Sequence, residues 1–187
     1  MPSKSDAPQR YVAFLRAINV GGHTVKMDRL RALFEELGLS NVETFIASGN
    51  VIFETSEDEA RLQAQISDHL HTSLGYQAEA FLRSTSELAQ IAAHQPFPES
   101  EYTENGATLH IAFMSAPATD AAERAIMALR SPKDDFHING RELYWLIRGK
   151  TSESMLKGPE LGKALGSPTT VRNSNTIRRL VAKYPPA

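Results

Sequence analysis

The chain has 187 residues, 41% of them hydrophobic, and a formal net charge of −2, which is enough apolar material for a real core. It contains no cysteine, which excludes disulfides, thiolate nucleophiles, iron–sulfur clusters and cysteine-rich zinc sites. No apolar run approaches the ~18 residues of a membrane span, and the polar stretch Met1–Arg10 has no apolar core like that of a secretory signal, so a cytoplasmic protein without a membrane partner is expected.

Residues 1–9 are expected to fray. Tyr11–Ile18 is a nearly continuous apolar run, as in a central strand covered on both faces. Its one charge, Arg16, shares a face with Phe14 and Ile18 by the two-residue period. Met27, Leu30, Leu33, Phe34 and Leu37 then mark a helix stopped by Gly38. Val42–Ala47 and Val51–Thr55 read as strands around a tight turn at Ser48–Gly49–Asn50. Ser56 and Glu59 have capping-box spacing before a helix bearing Leu62, Ile66, Leu70 and Leu74, which Gly75 ends. A strand at Gln77–Leu82 follows, and Ser84 and Glu87 open a short helix. Residues 96–106 hold two prolines and no periodicity, and read as a linker.

After the linker the order recurs. Thr108–Met114 is a strand, Thr119 caps a helix bearing Ala122, Ala125, Ile126 and Leu129 that Ser131–Pro132 stops, and Phe136–Ile138 and Leu143–Ile147 form a hairpin around Asn139–Gly140. A helix after the hairpin, interrupted by Gly158–Pro159 and resuming through Leu161 and Leu165 to Gly166, is followed by a strand at Thr169–Arg172 and a last helix with Ile177, Leu180, Val181 and Tyr184 on one face. The pattern predicts an α+β protein of two ferredoxin-like β-α-β-β-α-β halves packed together by internal duplication. Their expected bounds are residues 1–95 and 107–187, with strands and helices of 10–83 matching those of 107–172.

Several motifs invite chemistry and fail on spacing. Arg148–Gly149–Lys150–Thr151 resembles the end of a phosphate-binding loop, but Tyr144 stands where the first glycine is needed. Ser154 and Lys157 have the Ser-x-x-Lys spacing of serine β-lactamases without the companion elements. Ser48 lacks the glycines of a nucleophile elbow, since Ile46 and Asn50 flank it. The six histidines are scattered, and His69 and His71 point apart on a helix, so no metal site is expected.

A better candidate lies at one sheet end. In a β-α-β-β fold the end of the first strand and the hairpin joining the next two lie together. Arg16, Asn19, Gly21, Gly22 and His23 should therefore approach Ser48, Gly49 and Asn50. The glycines free the backbone to meet a ligand, and Arg16 offers a charge. The plainer reading is that the glycines only make turns and the asparagines pin loops.

Phe14–Gly22, Ser48–Phe53 and Thr170–Thr176 closely resemble the signature stretches of a mainly bacterial family, domain of unknown function 1697. The resemblance runs from about Tyr11 to Tyr184. It implies the duplicated α+β fold and brings no established activity, cofactor or substrate. Its last stretch adds a second candidate cluster, Arg172, Asn173 and Thr176. The aromatic residue frequent in that stretch is Ser174 here, which weakens any role for a ring at that position.

Three functions compete, and whether any of them is enzymatic stays open, as does the oligomeric state. The first is a site for a small ligand, anionic or nucleotide-like, at the Arg16/Asn19/Ser48/Asn50 end, with no cofactor. The second is a nucleic-acid-binding module using the basic C-terminal quarter, where residues 141–187 carry nine Lys and Arg against three Asp and Glu. It is disfavoured because the third strand offers only Phe53 for base stacking and the first half is acidic. The third is a protein interaction or assembly module without a small ligand.

Overall fold

The computed structural model describes residues 7–46, 49–104 and 106–187. The chain divides into two compact units, one of residues up to Glu87 and one from Leu88 to Pro186.

In the first unit the elements are β1 (Gln9–Arg16), α1 (Met27–Glu35), β2 (Ser40–Thr44), β3 (Asn50–Thr55), α2 (Glu59–Leu74) and β4 (Glu79–Ser84). The strands form a sheet in the order β2-β3-β1-β4, and each neighbouring pair is antiparallel. β1 is central, which explains its apolar run: Val12, Ala13 and Phe14 are all fully buried. Ala13 and Leu15 share a face with Val51, Phe53, Ala80 and Leu82, and that face packs with Leu30, Phe34, Leu62 and Ile66 of the helices into one core. The other face, with Val12, Phe14, Ile52 and Phe81, is buried too.

β1 stops at Arg16 rather than Ile18 because Ala17 turns into the left-handed region, at φ 66°. α2 is capped by Asp58, whose side chain accepts from the Arg61 backbone N–H at 3.1 Å. Ser56 is thus passed over, while the expected stop at Gly75 holds, at φ 77°. The second expected capping box is formed: Oγ of Ser84 accepts from Glu87 N–H, and the Glu87 carboxylate accepts from Ser84 N–H at 2.8 Å. It opens α3 (Thr85–Ala93), within which the division between the units falls.

The second unit continues with α4 (Glu99–Thr103), β5 (Thr108–Phe113), α5 (Asp120–Met127), β6 (Asp134–Asn139), β7 (Glu142–Ile147), a 3₁₀ turn at Thr151–Glu153, α6 (Gly158–Leu165), β8 (Thr170–Asn173) and α7 (Ser174–Lys183). Its sheet has the order β6-β7-β5-β8, again antiparallel. Both sheets therefore arise from the same succession, β-α-β-β-α-β followed by a helix. Thr119 caps α5 as expected, accepting from Ala122 N–H. Ala112, Leu143, Trp145 and Ile147 form the core with Ala122, Ile126, Leu161 and Leu165.

Three local details differ from the sequence-based expectation. The segment 96–106 contains α4, whose Glu101 makes a two-pronged ion pair with Arg148 at 2.9 Å. The β6–β7 turn is Gly140–Arg141, with Asn139 still paired to Glu142; Gly140 at φ 60° takes the first central position of a two-residue hairpin loop. Ser154 and Lys157 lie outside any helix. Ser154 is buried and donates to Asp134 at 2.8 Å, beside the Trp145 indole N–H on the same oxygen.

Candidate functional site

The end of β1 gathers the β1–α1 loop, the β2–β3 turn and the start of β4. The Leu15 N–H donates to the Gly49 carbonyl at 2.8 Å, and the Phe14–Asn50 pair is in register. The first strand end and the β2–β3 turn thus meet through Leu15 and Gly49. Ser48 lies outside the described residues. Gly49 is fixed twice over: its φ is +76°, and a Cβ there would lie 3.2 Å from the Cβ atoms of both Leu15 and Ile18.

The polar side chains of this end divide into ties and open groups. Oδ1 of Asn19 accepts from Val25 N–H at 2.8 Å and holds the loop shut on itself. Asn50 is wholly buried and donates from Nδ2 to the Phe45 carbonyl at 2.9 Å. His23 stacks on Tyr76, with ring centroids 3.9 Å apart, and joins the loop to the α2–β4 connection. Gly21 and Gly22, at φ 60° and 86°, have nothing within 4 Å of an added Cβ, and Val20 beside them is exposed.

Arg16 keeps the face of Phe14, with the register running unbroken from Phe14–Phe81 to Arg16–Glu79, but unlike Phe14 it is exposed. Its side chain is 47% exposed and pairs with Glu79, its cross-strand neighbour, at 3.0 Å. A pair this exposed contributes about 0–1 kcal/mol, so it does not lock the guanidinium. The backbone here is unusual. Ala17, Asn19 and Ile46 have φ of 66°, 55° and 57°, and each non-glycine residue in that region costs about 1–2 kcal/mol. For β-branched Ile46, 43% exposed, this is a real outlier.

The second cluster is built differently. Arg172 on β8 is buried, and its Nη1 donates to Thr170 Oγ1 at 2.7 Å and to the Val171 carbonyl at 2.9 Å. Burial pulls its pKa down to about 10. Asn173 is the N-cap of α7, accepting from Asn175 N–H at 2.9 Å, and Thr176 is half-buried in its first turn. The first unit has a counterpart. Arg83 on β4 is 1% exposed, donates from Nη1 to the Leu82 carbonyl at 2.7 Å, and precedes the capping residue Ser84. The two arginines also face equivalent strands, Arg83 opposite Val12 and Arg172 opposite Ile111. In both units a buried strand arginine is followed at once by a helix cap, which points to a junction device. Sequence reading singled out Arg172 and missed Arg83; the shared strand–Arg–cap–helix pattern was the available signal.

Among the described residues no group of three or more His, Asp or Glu side chains could hold a metal. No helix among them is long and apolar enough to cross a membrane.

The architecture is that of an α+β protein with two four-stranded antiparallel sheets, each reached by the same element order. The chain belongs to the family described as "Protein of unknown function (DUF1697)", which matches residues 9–144. Its fold is similar to that of the conserved bacterial protein SP0830 from Streptococcus pneumoniae, at 21% identity and a TM-score of 0.73, covering 95% of this chain and 98% of that one. No curated protein matches the chain.

Proposed function

We propose that this is a cytoplasmic ligand-binding protein made of two duplicated ferredoxin-like halves, and that the β1 end of the first unit receives a small anionic ligand. The shared strand order of the two sheets and the matched pair Arg83 and Arg172 support the duplication. The observation that carries the ligand reading is the concentration of left-handed backbone around one sheet end, at Ala17, Asn19, Gly21, Gly22, Ile46 and Gly49. At the non-glycine positions Ala17, Asn19 and Ile46 this is strain, which persists where surrounding structure enforces it and collects at ligand clamps and switch regions.

The chemistry follows from the groups left open. Gly21 and Gly22 leave the loop backbone bare of side chains, so a ligand can approach it closely. Arg16 can exchange Glu79 for a ligand anion at little cost, because the exposed pair is weak. Asn19 and Asn50 hold the loop and turn in place. The ligand they frame is a small anion, and a nucleotide-like one is the larger member of that class.

The test is gentle purification of the native protein, denaturation, and mass spectrometry of released small molecules, for wild type and Arg16→Met. Arg16→Met should melt within about 1 kcal/mol of wild type, since it removes only an exposed ion pair, and should lose the retained anion. Equal retention by both proteins, or a large loss of stability in Arg16→Met, would sink the reading.

A further inference from the structure

The second unit contains a cavity of about 150 Å³ lined by residues of α3, α4, β5 and α7 and the segment after α3. We propose that it binds a short-chain monocarboxylate, with Tyr102, His94 and Arg178 receiving the carboxyl group and Ile91, Leu109 and Ile111 receiving the alkyl chain. None of these residues belongs to the loop end of the first unit, so the two sites stand or fall separately.

The polar side of the cavity carries unmet demand. The Tyr102 hydroxyl and Nε2 of His94 are both buried, and neither makes a hydrogen bond among the described residues. Buried polar groups are ordinarily paired, and leaving them unpaired is costly. A cavity wall is where such a group meets a partner that is not protein. Burial raises the pKa of Tyr102 above its ordinary value, against the opposing pull of the Arg178 charge. The hydroxyl therefore stays protonated at neutral pH and can donate, and the same relation puts the guanidinium within electrostatic reach of it. His94 packs its ring against those of His137 and Tyr144, with centroids 5.3 and 5.0 Å away, which limits its freedom to turn aside. As the Nε2–H tautomer it supplies a second donor. α7, ten residues long, begins in the cavity wall at Ser174, adding the partial positive charge of a helix N-terminus.

The remaining lining sets the ligand's size and charge. Leu109 and Ile111 are alternate residues of β5 and so share a face, and with Ile91 of α3 they are buried. Inorganic phosphate or sulfate would leave this apolar wall without a partner. Glu99 also lines the cavity, and a carboxylate beside a single guanidinium opposes a dianion while tolerating a monoanion. A space near 150 Å³ accommodates a molecule of roughly six heavy atoms, which is the size of butyrate. Water is the competing occupant, because it too could satisfy both orphaned atoms.

Butyrate and its uncharged isostere butyramide, titrated into the full chain and followed by amide chemical shifts, separate these cases. Butyrate should saturate, with shifts centred on His94, Tyr102 and Ile111, and butyramide should bind at least about tenfold more weakly. Tyr102→Phe removes one oxygen from an unpaired position, so it should melt no lower than wild type and weaken butyrate about tenfold. Arg178→Gln changes an exposed side chain and should weaken butyrate by a similar factor even if the tyrosine variant folds poorly. Arg16→Met should leave butyrate binding unchanged. Absence of saturable shifts, equal affinity for acid and amide, or wild-type affinity in both cavity variants would overturn the assignment and leave water as the occupant.

Discussion

At φ +76°, Gly49 delivers its carbonyl to the Leu15 N–H, and the space where a Cβ would stand is bounded by Leu15 and Ile18. A side chain there must adopt a left-handed backbone, at about 1–2 kcal/mol, and also displace two Cβ atoms at 3.2 Å that belong to a buried strand end and its continuation. Gly22 shares the first cost, at φ +86°, but has open space where its Cβ would go. Gly49→Ala should therefore destabilise by about 2–4 kcal/mol and Gly22→Ala by about 1–2. Urea unfolding of the two variants measures the difference directly. Equal losses would mean that Leu15 and Ile18 yield freely, and that the turn is less tightly seated on β1 than its hydrogen bond implies. Arg172 and Arg83 show the opposite economy: each charge is buried, and each spends a donor on the carbonyl of the residue just before it.

α7 is the element whose placement decides most for the basic end of the chain. Asn173 caps it, Ile177 and Leu180 are fully buried, Tyr184 nearly so, and Arg178 and Arg179 face outward. Leu180→Ala should cost about 2–5 kcal/mol, the range for deleting a buried leucine side chain. A variant that unfolds at the wild-type urea midpoint would show that the helix contributes nothing to the core. This stripe was legible in sequence because residues 177, 180, 181 and 184 repeat at helical spacing across two turns. The strands were legible for the corresponding reason, since central β1 and β7 hold the apolar runs Tyr11–Leu15 and Leu143–Ile147. α4 was not: five residues reading Glu-Ser-Glu-Tyr-Thr show no periodicity, and the ion pair of Glu101 with distant Arg148 is a tie that sequence spacing does not reveal. The loop end of β1 was legible as a meeting of segments, because topology alone brings them together. The exposure of Arg16 was not, since alternation gives it the face of buried Phe14 and does not tell that this face opens to solvent at the strand end. The cavity was invisible for a plainer reason: its lining is drawn from four elements separated by up to about ninety residues of chain, and neither His94 nor Tyr102 belongs to a motif.

Across the whole molecule, acid should act in two stages, set by different groups. His110 and His137 have pKa values held below the usual 6.5, in both cases chiefly by burial, with the neighbouring His94 adding to the effect at His137. Nδ1 of His110 is buried without a hydrogen bond among the described residues, and its ring lies 5.7 Å from that of Trp145. The folded state therefore keeps these imidazoles neutral at pH values where the unfolded chain protonates them. The unfolded state then binds more protons, so stability rises with pH through this window. Equivalently, stability present above pH 6.5 is lost as pH falls from 6.5 toward the lower folded values. The carboxylates act later and with a matching sign. Glu54 is held below the usual 4.5 first by its hydrogen bond from Asn41 and then by Arg10, and Glu153 by its hydrogen bond from Lys133. Their contributions survive the first stage and disappear only below pH 4.5. Melting temperature should decline between about pH 7 and about pH 5, ahead of the main loss from Glu54 and Glu153, and decline again under more acid conditions. His110→Phe keeps an aromatic ring against Trp145 and removes one titrating group, so it should flatten the first decline and leave the second intact. A wild-type melting temperature that is level from about pH 7 to about pH 5, or a first decline unchanged in His110→Phe, would show that His110 meets its proton equally in the folded and unfolded chain.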